Sequence, residues 1–234
     1  MCRLLGITDF EYSRHGKIVD NFCELARTGH VMAGDPPGHE DGWGMAFYRE
    51  GSLVVQKSGR NLSEETDRVK ETLKRVGGTP ALILHLRKSA WSDSSSTRHA
   101  HPFSLGNAVF AHNGTVYEFR KLLPDITVPG LGEDALDTEA FFYHFLSWGL
   151  ADLGQAFLKS VAVVKERCRY SALNCLFSDG KKLFAYRDYA KEPDYYSLFK
   201  ARSGNSYLVS SEPLDEDLRW ETMEKGEFLE IPLG

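Results

Sequence analysis

The chain has 234 residues, of which 42% are hydrophobic and 26% charged, a composition typical of a soluble globular protein. The net charge of -5 argues against nucleic acid as a main partner. No apolar run approaches the roughly 20 residues that a membrane-spanning helix needs, and the N-terminus does not resemble a secretory signal. The four cysteines are irregularly spaced and predict no disulfide framework, so we expect a reducing cytoplasm.

The first half of the chain mixes strands and helices. In chain order, the spacing of apolar residues predicts a strand at 3–8, a helix at 17–27, a hairpin at 45–49 and 53–57, a helix capped by Ser63 at 63–76, and a buried strand at 81–87. A loop rich in Gly, Pro and His, at 34–44, separates the first helix from the hairpin. The strand at 81–87 is continuously apolar, which is typical of a strand buried on both faces.

The second half ends in further strands. A polar loop at 92–103 is followed by a strand at 108–112, helices at 137–148 and 152–165, a hairpin at 173–178 and 182–187, and strands at 207–210 and 227–231. Strands in antiparallel-looking groups with helices between them predict the α+β class, not repeated βαβ units. The chain has no internal repeat and no glycine-rich phosphate loop.

Cys2 directly follows the initiator methionine, whereas Cys23, Cys168 and Cys175 lie among apolar neighbours. Removal of Met1 would leave an α-amine and a thiol on one residue. A thiol of pKa about 8.5 is mostly protonated at neutral pH and needs a base to become a nucleophile. An α-amine, with a pKa of about 7.7–8.0, can be that base. Cys2 is therefore a candidate nucleophile, and the alternative is an ordinary buried strand residue.

Three more features have both a catalytic and a structural interpretation. Arg87 ends a buried strand, where a guanidinium can bind a carboxylate or form a surface ion pair. Asn113 and Gly114 can donate to an oxyanion or form a tight turn with positive φ. Asp137 starts a helix, where its carboxylate can cap the helix or bind a substrate ammonium.

A histidine-based metal site is the competing chemical hypothesis. His99 and His101 alternate along one extended segment, and Asp41 is an available carboxylate. The chain contains no HExxH motif and no Cys-x-x-Cys pair, so the sequence does not favour zinc. We expect His85 and His112 to be core or rim residues with hydrogen-bond partners.

The order of the motifs is more specific than any one of them. An initial Met-Cys is followed by "DGWG", "HLR", "HAHPF", "HNG", "DTE" and a late "SSEP". This series resembles the class II glutamine amidotransferases, whose glutaminase domain is of the N-terminal nucleophile hydrolase type. Within that family the chain looks most like the short, single-domain branch with YafJ-like proteins and the γ-glutamyl hydrolases of glutathione and ergothioneine metabolism.

The resemblance implies a four-layer αββα sandwich in a single glutaminase domain over residues 1–234. It implies that Cys2 is the nucleophile, that Asn113 and Gly114 form the oxyanion hole, and that Arg87 and Asp137 hold the α-carboxylate and α-amino group of the substrate. Two more residues, His101 and Trp43, lie in family motifs near the site. The run Lys88-Ser89-Ala90-Trp91 departs from the family pattern after the arginine.

These roles predict a glutaminase that releases ammonia and glutamate through a thioester, with no metal and no organic cofactor. The first alternative is a γ-glutamyl amide or peptide hydrolase, since Arg87 and Asp137 would bind the amino-acid end of glutamine and of a γ-glutamyl amide equally. The others are a metal-dependent hydrolase and a non-catalytic subunit that keeps the fold. The expected ligand is a small molecule, with no nucleic acid and no membrane as partner, and the sequence leaves a separate ammonia-accepting subunit and a homo-oligomer open.

Overall fold

The computed structural model describes residues 2–91, 94–149 and 151–234. Its strands are β1 (Arg3–Glu11), β2 (Trp43–Arg49), β3 (Ser52–Ser58), β4 (Gly78–Leu86), β5 (Phe103–Leu105), β6 (Ala108–Asn113), β7 (Asn174–Ser178), β8 (Lys182–Tyr186), β9 (Phe199–Ser203), β10 (Ser206–Ser210), β11 (Glu221–Thr222) and β12 (Phe228–Pro232). Its α-helices are α1 (Tyr12–Thr28), α2 (Thr66–Val76), α3 (Asp137–Leu146) and α4 (Leu153–Arg167).

The strands form two antiparallel sheets. The larger has seven strands in the order β11-β9-β10-β1-β4-β2-β3, and the smaller has five in the order β12-β8-β7-β6-β5. Every strand pairing in both sheets is antiparallel. This arrangement confirms the α+β prediction.

Three apolar layers show how the sheets and helices stack. One cluster joins the two sheets and contains strand residues such as Leu4, Ile83 and Leu176. A second cluster packs α1 and α2 against the seven-stranded sheet. A third, rich in phenylalanine, packs α3 and α4 against the five-stranded sheet. The order of layers is therefore helix, sheet, sheet, helix, which confirms the αββα sandwich.

The alternation of side chains along β1 fixes which residues face the second sheet. Leu4 lies in the layer between the sheets, whereas Leu5 and Ile7 lie under the helices. Gly6 faces the second sheet, since a Cβ there would lie 3.1 Å from a methyl of Leu176. The same period of two locates the side chains of the site.

The sequence-based elements differ from the structure mainly at their ends and in short edge strands. The strands β5, β9 and β11 and the 3₁₀ helix Phe119–Asp125 were not predicted. The first helix begins at Tyr12, five residues earlier than expected. The predicted cap of the second helix is wrong, because a 3₁₀ turn precedes it and Oδ1 of Asn61 accepts from the N–H of Ser63.

None of the helices within the described ranges is long and apolar enough to cross a bilayer.

Candidate active site

Two neighbouring strands of the larger sheet bring Cys2 and Arg87 together. Cys2 precedes β1 by one residue and Arg87 follows β4 by one residue. The register pairs Arg3 with Leu86, so its continuation places Cys2 opposite Arg87. By alternation both side chains share the face of Leu4, which is the face toward the second sheet.

The second sheet contributes Asn113 at the end of β6. Val109 and Ala111 of this strand lie between the sheets, and Asn113 has the same parity. Thus the ends of three strands, two from one sheet and one from the other, point into the same layer. Cys2, Gly114 and other residues line a small cavity of about 30 Å³ at this point.

The Cys2 thiol is nearly enclosed, with 6% of the residue exposed. Its Sγ lies 3.7 Å from the carbonyl oxygen of Lys88, to which it donates. Burial raises the pKa of the Cys2 thiol above its ordinary value, while nearby positive charges, among them Arg87 and Arg3, act in the opposite direction. Because the net effect favours the neutral thiol, Cys2 requires a base to become a nucleophile.

Asn113 is fully buried, yet neither Nδ2 nor Oδ1 of its side chain has a hydrogen-bond partner among the described residues. A buried amide without a partner costs free energy, so such groups are rare and call for a functional explanation. The next residue, Gly114, lines the cavity. The Asn113 amide and the Gly114 backbone N–H are therefore the groups to consider as hydrogen-bond donors to a ligand in this region.

The turn interpretation of Asn113-Gly114 is wrong. Gly114 does not have a positive φ, unlike eleven other glycines of the described chain. It is required for another reason, because a Cβ at this position would lie 1.9 Å from the carbonyl oxygen of Ala172. Strand β6 ends at Asn113, and the chain at Gly114 runs in close contact with the backbone of Ala172.

Arg87 is buried and held by the loop that follows it. Its Nη1 donates to the Ser94 carbonyl at 2.8 Å, and its Nη2 donates to the hydroxyls of Ser94 and Ser89 at 2.8 and 2.9 Å. No ion pair to Arg87 is found among residues 2–91, 94–149 and 151–234, so the surface ion-pair alternative is wrong. A carboxylate would have to take the place of these serine oxygens, and the small cavity must widen to admit an amino acid.

Asp137 is buried in the cavity wall at the start of α3, and its expected role as helix cap is wrong. The N-cap position is occupied by Leu136, and no side chain caps the helix. The Asp137 carboxylate turns back across the chain instead: Oδ2 accepts from the N–H of Val116 and Oδ1 from the indole of Trp91, both at 2.9 Å. These two donors fix the carboxylate in one orientation at the cavity.

His101 forms another wall of the cavity. Its ring centroid lies 4.2 Å from that of His85 and 5.2 Å from that of Phe103. Burial lowers the pKa of both histidines well below the ordinary value, so both rings are neutral. His85 and His112 have the expected hydrogen bonds: His85 lies 3.4 Å from the His112 carbonyl, and His112 contacts Thr138 and a backbone carbonyl.

The residues considered for a metal site do not assemble. Among the described residues, no group of three or more His, Cys, Asp or Glu side chains is arranged to hold a metal ion. His99 contacts Ser96 and the carbonyl of Asp134, whereas Asp41 accepts from the backbone of Ser89. The geometry of these side chains therefore does not favour the metal-dependent hydrolase.

Trp43 does not reach the cavity. Its side chain packs in the cluster beneath α1 and α2, and its indole donates to Glu65 at 2.9 Å. The part of the "DGWG" motif that meets the site is Gly44, where a Cβ would lie 2.1 Å from the His101 carbonyl oxygen. Trp43 and Gly44 are consecutive residues of β2 and face opposite sides of the sheet, which the alternation of a strand already predicts from the sequence.

Sequence reasoning missed the partners of the predicted residues. Trp91 and Ser94 lie in a polar loop, where no periodicity indicates which side chain points inward. Arg3 is fully buried at the start of β1 and pairs with Glu212. A charged residue inside an apolar strand was the one available signal for that pair.

Comparison with known proteins identifies the family of the chain. The family model described as glutamine amidotransferases class-II matches residues 1–198. An uncharacterized protein of Methanocaldococcus jannaschii is 29% identical over 233 residues, an alignment covering 84% of this chain and 62% of that protein. The chain thus spans less than two thirds of the length of this relative.

Three solved structures share the fold. The glutamine phosphoribosylpyrophosphate amidotransferase of Bacillus subtilis is 17% identical with a TM-score of 0.72, covering 99% of this chain and 47% of its own. A class-II domain protein of Silicibacter pomeroyi is 18% identical with a TM-score of 0.67, covering 99% and 95%. A predicted glutamine amidotransferase of Pseudomonas aeruginosa is 20% identical with a TM-score of 0.56, covering 99% and 97%.

Proposed function

The chain belongs to the class-II glutamine amidotransferases, and we propose that it is an amidohydrolase that releases ammonia and glutamate from glutamine through a thioester on Cys2. The observation that carries this proposal is the buried, unpartnered amide of Asn113, whose neighbour in sequence, Gly114, lines the same cavity as the Cys2 thiol. A folded protein retains such an amide where a ligand completes its hydrogen bonds.

The chemistry starts with removal of Met1, which frees the α-amine of Cys2. The amine takes the thiol proton, and Sγ forms a bond to the γ-carbonyl carbon of glutamine. The resulting oxyanion accepts hydrogen bonds from Asn113 Nδ2 and the N–H of Gly114. The C–N bond then breaks, and the protonated amine gives its proton to the departing ammonia. Water adds to the thioester with the same amine as base, and glutamate leaves with the thiol restored.

Arg87 and Asp137 would hold the amino-acid end of the substrate. The α-carboxylate replaces the oxygens of Ser94 and Ser89 on the Arg87 guanidinium, which exchanges neutral acceptors for a charged one. The α-ammonium binds the Asp137 carboxylate, whose orientation two N–H donors already fix. His101 is a neutral wall of the same pocket. These contacts position the γ-carbonyl next to the thiol.

A second candidate, a hydrolase of substituted γ-glutamyl amides, is favoured by a groove beside the cavity. The groove has a volume of about 530 Å³ and shares Lys88, Ser89 and other residues with the cavity. Tyr117 and Met32, two exposed large apolar residues, line it. Such a groove has room for a substituent on the leaving nitrogen. Glutamine remains the first candidate because the cavity itself is small.

A panel of γ-glutamyl compounds, glutamine first, tests both candidates. Glutamate release is measured for the wild type and for Cys2→Ala. We expect release from glutamine by the wild type and none by the variant. Equal turnover by both proteins would exclude the thioester, and release from substituted amides alone would move the assignment to the second candidate.

Intact mass separates the enzyme from a non-catalytic subunit, because a chain that retains Met1 has no free amine on Cys2. We further propose that residues 1–234 act as one glutaminase domain and that the protein works in the cytoplasm, where a free thiol persists. A separate subunit could use the ammonia, and the mass of the native particle tests for such a partner.

A further inference from the structure

The residue after the proposed nucleophile is a buried arginine. Arg3 is the first residue of β1, has no exposed surface, and points away from the cavity. Its Nη1 donates to the carbonyl oxygen of Cys2 at 2.9 Å. Its Nη2 donates to the carbonyl of His30, and its Nε lies 2.5 Å from Oε1 of Glu212. One guanidinium thus ties the N-terminus to two distant segments.

Glu212 completes the arrangement from the segment that follows β10. Its Oε1 also accepts the N–H of His30 at 2.9 Å, so Arg3 and Glu212 bind both sides of this residue. The segment itself is fixed to β1, because the N–H of Ser211 donates to the Leu4 carbonyl and the Leu4 N–H donates to the Ser211 hydroxyl, each at 3.0 Å. These two hydrogen bonds fix the segment that carries Glu212 to strand β1.

Stability alone is a weak reason for such a pair. Taking two charges out of water costs free energy that their attraction often only balances, and apolar residues of similar volume frequently do as well. The position of the pair suggests a different role. A chain-terminal residue has no preceding peptide bond to restrain it, so the carbonyl of Cys2 is the backbone group left to hold its amine and thiol in place.

The charge of the pair acts on the same residue. Because the Arg3 guanidinium is bonded to the carbonyl of the residue that carries the α-amine, its positive charge disfavours the protonated form of that amine. Glu212 offsets part of that charge. Among the described residues, Arg87, Tyr195 and Tyr196 interact electrostatically with Cys2 from other elements, and His39 interacts in the same way with Arg3.

We propose that Arg3 and Glu212 form a positioning pair that orients Cys2 and sets how readily its α-amine releases a proton. This inference rests on the proposed function, in which that amine is the base. Neither residue touches the substrate, and both act through Cys2.

Glu212→Gln is the sharpest test, since glutamine keeps an oxygen acceptor for Arg3 and His30 and removes only the negative charge. The uncompensated guanidinium should lower the pKa of the amine. We expect the acidic limb of the kcat/KM profile for glutamine to move down by about one pH unit. The rate of Cys2 alkylation by iodoacetamide, measured at each pH by peptide mass spectrometry, should also shift its pH profile to lower pH. A purely structural role would leave both pH profiles where they are.

Glu71→Gln is the matched control. Glu71 pairs with Arg75 on the exposed face of α2, so the same change in charge should leave both profiles unchanged. Arg3→Lys keeps the charge but loses the forked geometry, and we expect kcat to fall about tenfold with KM nearly constant. If Arg3→Lys does not fold, the pH profiles of Glu212→Gln still test the proposed role of the pair.

The outcomes also separate this inference from the proposed function. A Glu212→Gln profile identical to the wild-type profile in both assays overturns the positioning pair. Absence of glutamate release from every protein overturns the proposed function, yet the alkylation profile of Cys2 still reports whether the pair controls its ionisation.

Discussion

The indole N–H of Trp91 donates a 2.9 Å hydrogen bond to Oδ1 of Asp137. The other carboxylate oxygen accepts from the backbone of Val116 at the same distance. A buried carboxylate with one neutral donor on each oxygen keeps free lone pairs. The arrangement therefore leaves Asp137 able to accept a cation without reorienting.

Asp137→Asn should mainly weaken substrate binding. The amide keeps an oxygen for Val116 but loses the charge, and a charge-assisted hydrogen bond contributes about 1.5–3 kcal/mol. We expect the KM for glutamine to rise by roughly 10- to 100-fold, with a smaller change in kcat, in steady-state assays of glutamate release. Trp91→Phe keeps the ring and removes only the N–H, so its effect on KM should be smaller. An unchanged KM in Asp137→Asn would remove Asp137 from the substrate site.

Asn113→Ala should separate catalysis from stability. Loss of one oxyanion donor costs about 2.7–4 kcal/mol of barrier, so we expect kcat to fall 10²- to 10³-fold with little change in KM. Because the amide has no partner in the folded protein, its removal relieves a buried polar group and partly offsets the cavity it leaves. The urea midpoint should therefore change little for a fully buried residue.

Asn174→Ala is the control for this prediction. Asn174 lies opposite Asn113 in the register of β6 and β7 and is equally buried. Its amide donates to the Tyr196 carbonyl at 3.0 Å and accepts from the Asp188 N–H at 3.1 Å. Its removal leaves these groups unpaired and should destabilise the fold by about 2–3 kcal/mol. Equal stability losses in the two variants would contradict the assignment of Asn113.

The fold followed from the sequence wherever apolar periodicity was strong. The strand β4 and the hairpins β2–β3 and β7–β8 carry clear alternation or turn signals, and the structure contains them. The strand β9 was missed because its residues Lys200 and Arg202 are polar, and it pairs only with β10 and the short β11 at the edge of the sheet. Strands near the edge of a sheet depend on backbone pairing that local composition does not encode.

Several of the predicted residues meet at one cavity, Trp43 does not reach it, and the contacts among the residues were not predicted. Cys2, Arg87 and Asp137 line one cavity, as the order of motifs suggested. The sequence from Lys88 to Ser94 has no periodic pattern. The hydrogen bonds of its serines with Arg87 and of its indole with Asp137 therefore could not be predicted from the sequence. These contacts are decided by tertiary packing and not by a local sequence pattern.

Gly114→Ala should prevent stable folding. The added Cβ would lie 1.9 Å from the Ala172 carbonyl and 2.6 Å from His112 Nε2, and neither the backbone nor the hydrogen-bonded ring can withdraw. We expect a loss of more than about 3 kcal/mol in urea unfolding, consistent with severe steric strain in a core. Gly16→Ala is the control, since in α1 the nearest atom would be 3.4 Å away on the Tyr12 ring. That change should be neutral or stabilising by up to about 1 kcal/mol.

Buried neutral histidines should make the protein sensitive to acid. Burial lowers the pKa of six histidines in the fold: His15, His39, His85, His101, His112 and His144. Such a group binds a proton in the unfolded chain before it does in the folded one. Stability is therefore complete above the unfolded pKa of about 6.5 and falls as the pH drops below it, down to the folded pKa.

His39 allows this prediction to be measured at one residue. Burial lowers its pKa to about 3, its Nδ1 lies 3.1 Å from the Leu25 carbonyl, and its Nε2 has no hydrogen-bond partner within the part of the chain that the structure describes. Linkage gives a loss of about 2 kcal/mol from this group between pH 7.5 and pH 5. His39→Asn keeps a donor for Leu25 and cannot titrate, so its urea stability should fall by about 2 kcal/mol less than the wild type over that interval. The exposed His30→Asn should follow the wild-type curve, and a parallel loss in all three proteins would show that His39 is not the source.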